Sequence, residues 1–240
     1  MQWLGKPNRI GALFLRVLAV LLCTGLVAGS TRHTDATESA ADADKVLLGR
    51  QLVIEHACGQ CHGGGDDPAA DGWLQGMRTP DQEFRIGPCA VEPQAKPCFL
   101  TRARNLTPHN TTGLGRFSER QIFNALRYGL RPGETPDAEI TSTTPGEGNF
   151  PAYPKYLAPP MPWTSWRFMS DEDLWAIAAY LKHGVKPVHN RVEDSEGPPD
   201  FWASDYTVEK IGPYPPARFP TANEVLPAFS RNAPRQRPNP

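Results

Sequence analysis

Acid and base nearly cancel in this chain: 25 Lys and Arg stand against 26 Asp and Glu, a formal net charge of −1. That balance gives no case for a nucleic-acid partner. Internal repeats are absent. Between residues 63 and 117 there is little helix or strand periodicity, and Gly63-Gly64-Gly65 opens that stretch as loop. So long an irregular segment does not suit an ordinary compact domain. Cysteine is scarce, with 5 residues, and methionine scarcer, with 4. Proline is not scarce. From Lys186 to Pro240, 11 of 55 residues are proline, which excludes a packed core built from that stretch alone.

What is present starts with an export signal. Lys6, Arg9 and Arg16 lie in or beside a basic n-region, Val17–Ala28 is apolar apart from Thr24 and Gly25, and Ala28-Gly29-Ser30 offers small residues for cleavage. Residues 1–30 therefore read as a secretory signal. The rival is an uncleaved N-terminal anchor over Ile10–Gly29, about the length of a membrane span, with Arg16 inside it at a cost of a few kcal/mol. Cleavage leaves 22 bases and 26 acids, a net charge of −4. Residues 31–43 are polar and read as a flexible lead-in.

Three helices are predicted. The first starts near Asp44, with Val46, Gly49, Val53 and Ala57 at helical spacing on one face. The second is capped by Ser118, with Gln121 completing a capping box, Phe117 and Ile122 placed as a hydrophobic staple, Ile122, Ala125 and Leu126 as its stripe, and Gly129 as its stop. The third is capped by Ser170. Asp171, Glu172 and Asp173 suit the dipole at its start, Leu174, Ile177, Ala178 and Leu181 form its apolar face, and Gly184 and Pro187 end it.

The chemistry sits in Cys58-Gly59-Gln60-Cys61-His62, a C-x-x-C-H motif that occurs once. Two thiols with a two-residue spacer match the two vinyl groups on one porphyrin edge, and the next residue turns its imidazole to the iron. A thiol redox pair is the rival, but such a pair opens a helix after a strand, whereas this motif closes a helix. Export agrees with haem c, which is attached outside the cytoplasm. One covalent haem c is expected, held by Cys58 and Cys61 with His62 on the iron. The long loops are then explained, because the cofactor supplies core surface that side chains otherwise provide. Cys89 and Cys98, left over in an exported protein, are expected to form a disulfide.

For the sixth ligand, Met and His are the usual choices. Met161 stands in Pro159-Pro160-Met161-Pro162, a stiff extended loop with no packing reason to hold a methionine, and is preferred. Met169 precedes the N-cap Ser170 and is explained as a staple onto Leu174; Met77, His109, His183 and His189 complete the alternatives.

These residues carry a resemblance. Gly49, the C-x-x-C-H, a late methionine and Ala179-Tyr180-Leu181-Lys182 resemble class I cytochromes c. Asn105-Leu106-Thr107-Pro108, Thr112-Gly113-Leu114-Gly115-Arg116-Phe117-Ser118, Met161-Pro162-Trp163 and Met169-Ser170-Asp171-Glu172-Asp173-Leu174 resemble runs in the cytochrome c subunits of bacterial membrane-bound alcohol and gluconate dehydrogenases. The resemblance covers about residues 44–187. It implies a mostly α, class I cytochrome c fold with three core helices and haem-wrapping loops. It also implies a close crossing of first and last helices, with Tyr180 approaching Gly49, and it independently favours Met161. Those subunits usually carry several haem motifs and this chain has one. The Cys89–Cys98 insertion and the proline-rich extension, 188–240, have no counterpart in the pattern.

Arg102 and Arg104 are candidates for haem propionates, with solvated surface charge as the alternative. Trp163 and Trp166 are candidates for the haem pocket, with ordinary core packing as the rival. Phe201, Trp202, Tyr206 and Tyr214 suggest that the extension straps across the domain; free disorder is the alternative. The expected function is one-electron transfer in the periplasm through a His/Met-ligated haem. The expected partners are redox proteins such as a membrane-bound dehydrogenase or a terminal oxidase. The other reading is a haem-bearing subunit or catalytic haem protein acting on a small molecule; whether the chain is itself an enzyme stays open.

Overall fold

The computed structural model describes residues 42–77, 83–198, 200–218 and 220–225. The signal or anchor and most of the lead-in lie outside the described residues. Among those described, no helix is long and apolar enough to cross a membrane.

Helix α1 covers residues 42–55, and Gly49 and Val53 on its inner face are buried. Ala57 departs from the expected stripe. It is exposed and left-handed, with φ 53°, so α1 ends before it and the C-x-x-C-H forms its own short helix, α2 (Cys58–His62). An antiparallel hairpin follows, β1 (Glu83–Ile86) against β2 (Phe99–Arg102), with Phe84 opposite Thr101. The Cys89–Cys98 disulfide closes its loop. No alternation marked these short strands in the sequence.

Helix α3 (Glu119–Tyr128) has the capping box its sequence announces. Ser118 Oγ accepts from the Gln121 amide and the Gln121 side chain accepts from the Ser118 amide. Gly129 ends it at φ 69°, a value that favours glycine. The Trp163 ring would lie 2.1 Å from any Cβ there, so conformation and space both demand glycine. Trp163 opens a one-turn helix, α4 (Trp163–Trp166). Helix α5 (Asp171–Ala179) starts at Ser170, whose hydroxyl accepts from the Asp173 amide. It widens into a π-turn over Tyr180–Gly184 instead of running on as α-helix.

One core joins these elements. Val53 of α1, Leu74, Ile122, Phe123 and Leu126 of α3, and Leu174 and Ile177 of α5 are buried together, with Phe117 packed on their edge beside its staple partner. Val53, Leu74 and Leu174 are fully buried, each worth ~1.5–3 kcal/mol of transfer free energy. The described residues are thus helix-rich with one two-stranded sheet.

The proline-rich extension is tied to this body as far as Tyr214. Glu196 pairs with Leu100 at the hairpin. Trp202 is 2% exposed against Ile86 and Phe99, Tyr206 packs on Tyr156 and Trp163, and the Tyr214 hydroxyl lies 2.9 Å from that of Tyr128. The strap reading of the aromatics holds. The segment borrows a core rather than forming one.

Candidate haem site

The C-x-x-C-H is positioned by glycines and a tryptophan. A Cβ on Gly59 would lie 2.4 Å from the Trp73 ring and 2.2 Å from the Gly65 carbonyl, so only glycine lets α2 seat against the loop behind it. Trp73 is held in turn by its indole N–H, which donates to the Tyr180 hydroxyl at 3.0 Å. The motif thereby leans on the end of α5. Cys58 and Cys61 are free thiols. Cys61 is exposed; Cys58 is half-buried, and burial pushes its thiol up to about 11.

His62 is buried. Its Nδ1–H donates to the backbone carbonyl of Arg104 at 2.7 Å. A carbonyl only accepts, so this bond sets the tautomer: Nδ1 carries the proton and Nε2 keeps the lone pair. Burial lowers the imidazole's pKa and so favours the neutral ring a metal needs; the Arg104 bond opposes this in part. Among the described residues no protein group bonds Nε2. The backbone is held as well, with the Gly76 amide donating to the His62 carbonyl at 2.7 Å.

Met161 lies in a tight turn. Its amide donates to the Ala158 carbonyl and its carbonyl accepts from the Trp163 amide, both at 2.9 Å. Met169 donates its amide to Trp166 and accepts from Arg127. Both side chains pack half-buried on the same core, so burial does not separate them. The histidines are engaged elsewhere: His183 Nε2 lies 2.7 Å from Glu119 Oε1, and His109 faces His189 edge-on with Nδ1 turned to Thr111 and Thr112. Trp163 stacks near-parallel on Tyr156, and Trp166 meets His56 edge-on.

Arg102 is not solvated surface charge, whereas Arg104 is exposed as that reading expects. Arg102 is buried and pairs with Glu83, Glu193 and Glu196. Arg104 donates to the carbonyls of Val192 and Glu193 and to the Ser195 hydroxyl. Both are spent on the C-terminal extension, over about 90 residues of sequence separation, which no local pattern could reveal. Trp73 and Arg127 also escaped the sequence reading. Arg127 is buried, pairs with Asp171 and donates to the Met169 carbonyl at 2.9 Å, tying α3 to the start of α5.

The residues present fit a covalent haem. Two unpaired thiols stand on one short helix, followed by a buried imidazole with one nitrogen engaged and the other available. No cluster of three or more His, Cys, Asp or Glu suited to a metal ion occurs among the described residues.

No protein-family model matches the chain. Curated relatives do. Over 175 residues, 72% of this chain and 31% of the relative, it is 29% identical to the gluconate 2-dehydrogenase cytochrome c subunit of Pantoea cypripedii. Over 166 residues, 68% of this chain and 26% of the relative, it is 26% identical to the fructose dehydrogenase cytochrome subunit of Gluconobacter japonicus. Over 85 residues, 35% of this chain and 14% of the relative, it is 35% identical to the cytochrome c subunit of a quinone alcohol dehydrogenase of Gluconacetobacter polyoxogenes. In class, then, the chain is similar to cytochromes c. More narrowly, it resembles the cytochrome c subunits of gluconate, fructose and alcohol dehydrogenases. It spans less than a third of the length of each of these relatives.

Proposed function

We propose that this chain is a mono-haem c-type cytochrome of the class I fold, exported to the periplasm by its N-terminal segment, that passes single electrons between redox proteins. Cys58 and Cys61 would hold the haem by thioether bonds, and His62 Nε2 and the Met161 sulfur would ligate its iron. When bound, the haem supplies a one-electron Fe(III)/Fe(II) couple whose potential methionine ligation raises. The protein's part is positional. The Arg104 carbonyl keeps His62 in one tautomer and orientation, and the turn at residues 158–163 presents Met161 between prolines. With His62 and Met161 both given to the iron, the haem would serve electron transfer rather than the transformation of a small molecule. By analogy with the relatives, its partner is a dehydrogenase, and it acts as that enzyme's electron-transfer subunit.

The observation that carries this reading is the C-x-x-C-H with both thiols unpaired and His62 Nδ1 committed to the Arg104 carbonyl. A pyridine haemochrome assay on the exported protein, with haem staining after denaturing electrophoresis, tests it. One haem per chain, retained on denaturation, is expected. Two haems, or haem lost on denaturation, overturn the proposal.

A further inference from the structure

The described part of the C-terminal extension does more than cover the hairpin. Its first residues grip the loop that carries the hydrogen-bond acceptor of His62. Residues 103–106 lie between two partners. On one side the Met77 amide donates to the Ala103 carbonyl at 3.1 Å and the Leu106 amide to the Leu74 carbonyl at 2.8 Å. That same 74–77 segment holds the His62 backbone through Gly76. On the other side lies the extension. The Asn105 amide group donates to the Val188 carbonyl at 2.8 Å and the Asn190 carbonyl at 3.3 Å. The Arg104 guanidinium donates to Val192 O at 3.2 Å, Glu193 O at 2.9 Å and Ser195 Oγ at 3.0 Å. Asn190 reaches across to the first side, its Nδ2 donating to Gln75 O at 2.8 Å.

The packing leaves no slack. A Cβ on Gly76 would lie 2.7 Å from the Asn105 amide nitrogen, 2.7 Å from Val192 Cγ2 and 2.9 Å from the Arg104 carbonyl carbon. Gly76 is therefore hemmed in by Val192 and by the peptide that accepts the His62 hydrogen bond, and only glycine lets the three approach.

We infer that residues 188–195 of the extension position the Arg104 carbonyl against His62, with Arg104 as the positioning residue, and so tune the donor strength of the imidazole toward the haem iron. This rests on the haem reading above. A firm bond from Nδ1–H raises the basicity of the ring at Nε2, which favours the ferric state. Loosening the clamp weakens that bond and raises the reduction potential. Arg104 acts at once through its backbone, on His62, and through its side chain, on the extension.

Two substitutions that leave the formal charge unchanged test this without altering the electrostatics of the site. Arg104→Lys keeps the charge but offers a single nitrogen on a shorter stem, where one guanidinium nitrogen reaches the two carbonyls and a second the hydroxyl, so the forked grip is lost. Asn190→Ala removes the tie to the 75–77 segment. In the full haem-loaded chain, the expected result for both is exchange of the His62 Nδ1 proton faster by about tenfold, read by NMR, and a reduction potential above wild type. Wild-type exchange and potential in both variants overturn the inference while leaving the haem reading intact. A wild-type protein without covalent haem, counted first, overturns both. Should Arg104→Lys fail to fold, Asn190→Ala decides alone, because the exposed Arg104 and its peptide are left in place.

Discussion

Gly49 of α1 and Tyr180 at the end of α5 meet with no room for a side chain between them: a Cβ on Gly49 would lie 2.8 Å from Tyr180 Cβ and 1.8 Å from the Ala176 carbonyl oxygen. The crossing also orients the haem motif, since the Tyr180 hydroxyl accepts from Trp73 behind Gly59. In an exposed helix interior, glycine to alanine gains ~1 kcal/mol. Here the overlap with rigid backbone outweighs that gain, and Gly49→Ala is expected to cost about 2–3 kcal/mol. Denaturant midpoints measure it. The exposed neighbour Arg50→Ala is the control, with a change within about 0.5 kcal/mol. A Gly49→Ala midpoint equal to the control's contradicts the close crossing.

The two late methionines separate by spectrum. Sulfur ligation to ferric haem gives a weak band near the red edge of the visible range. Met161→Ala is expected to abolish it, lower the potential and open the iron to small ligands. Met169→Ala is expected to keep the band and cost ~1 kcal/mol of packing beside its N-cap. The opposite pattern assigns the ligand to Met169. An unchanged band in both variants moves it to another residue.

The Cys89–Cys98 bridge joins the ends of the hairpin loop across nine positions of sequence. A loop of this length contributes ~2–3 kcal/mol in the chain-entropy model. The Cys89→Ser/Cys98→Ser double variant is expected to lose that amount in urea unfolding. Alkylation under non-reducing conditions is expected to spare both sulfurs. Ready labelling of either one in the folded, exported protein rules the bridge out.

Glu119 links α3 to both ends of the fold, through His183 at 2.7 Å and Lys45 at 3.3 Å. Burial alone would raise its pKa, but the His183 hydrogen bond and the Lys45 charge outweigh that and hold the carboxyl below the ordinary glutamate range. A carboxyl depressed in the folded state binds more protons when unfolded. Its contribution is present above the ordinary glutamate value and is lost as pH falls through the folded one. Stability is therefore expected to drop from about pH 5 downward, and Glu119→Gln to flatten that limb. Unfolding midpoints at about pH 6 and about pH 4 provide the check. An acid loss identical in the two proteins would remove Glu119 from the account.

Much was legible locally. The C-x-x-C-H needs only its own spacing to announce itself, because two thiols and an imidazole in five residues are a chemical unit. Ser118 with Gln121, and Ser170 with its acidic first turn, mark helix starts because capping is decided within four residues. The Cys89–Cys98 pairing followed from counting. Ala57 was misjudged, since periodicity extrapolates a helix past the point where the backbone turns left-handed; the last helix does end at Gly184, but its final π-turn has no signal in the sequence.

The sequence by itself determined which atoms offer themselves to a haem, where the main helices begin, and that the last 55 residues need a core from elsewhere. Only the tertiary structure decided what Arg102 and Arg104 do. Each has partners about 90 residues downstream, and several of these are backbone carbonyls, which every residue has and no side-chain pattern displays. The acceptor of the His62 proton is likewise a carbonyl, 42 positions away. Side-chain chemistry is written residue by residue; backbone hydrogen bonds between distant loops exist only once the chain has closed around its core.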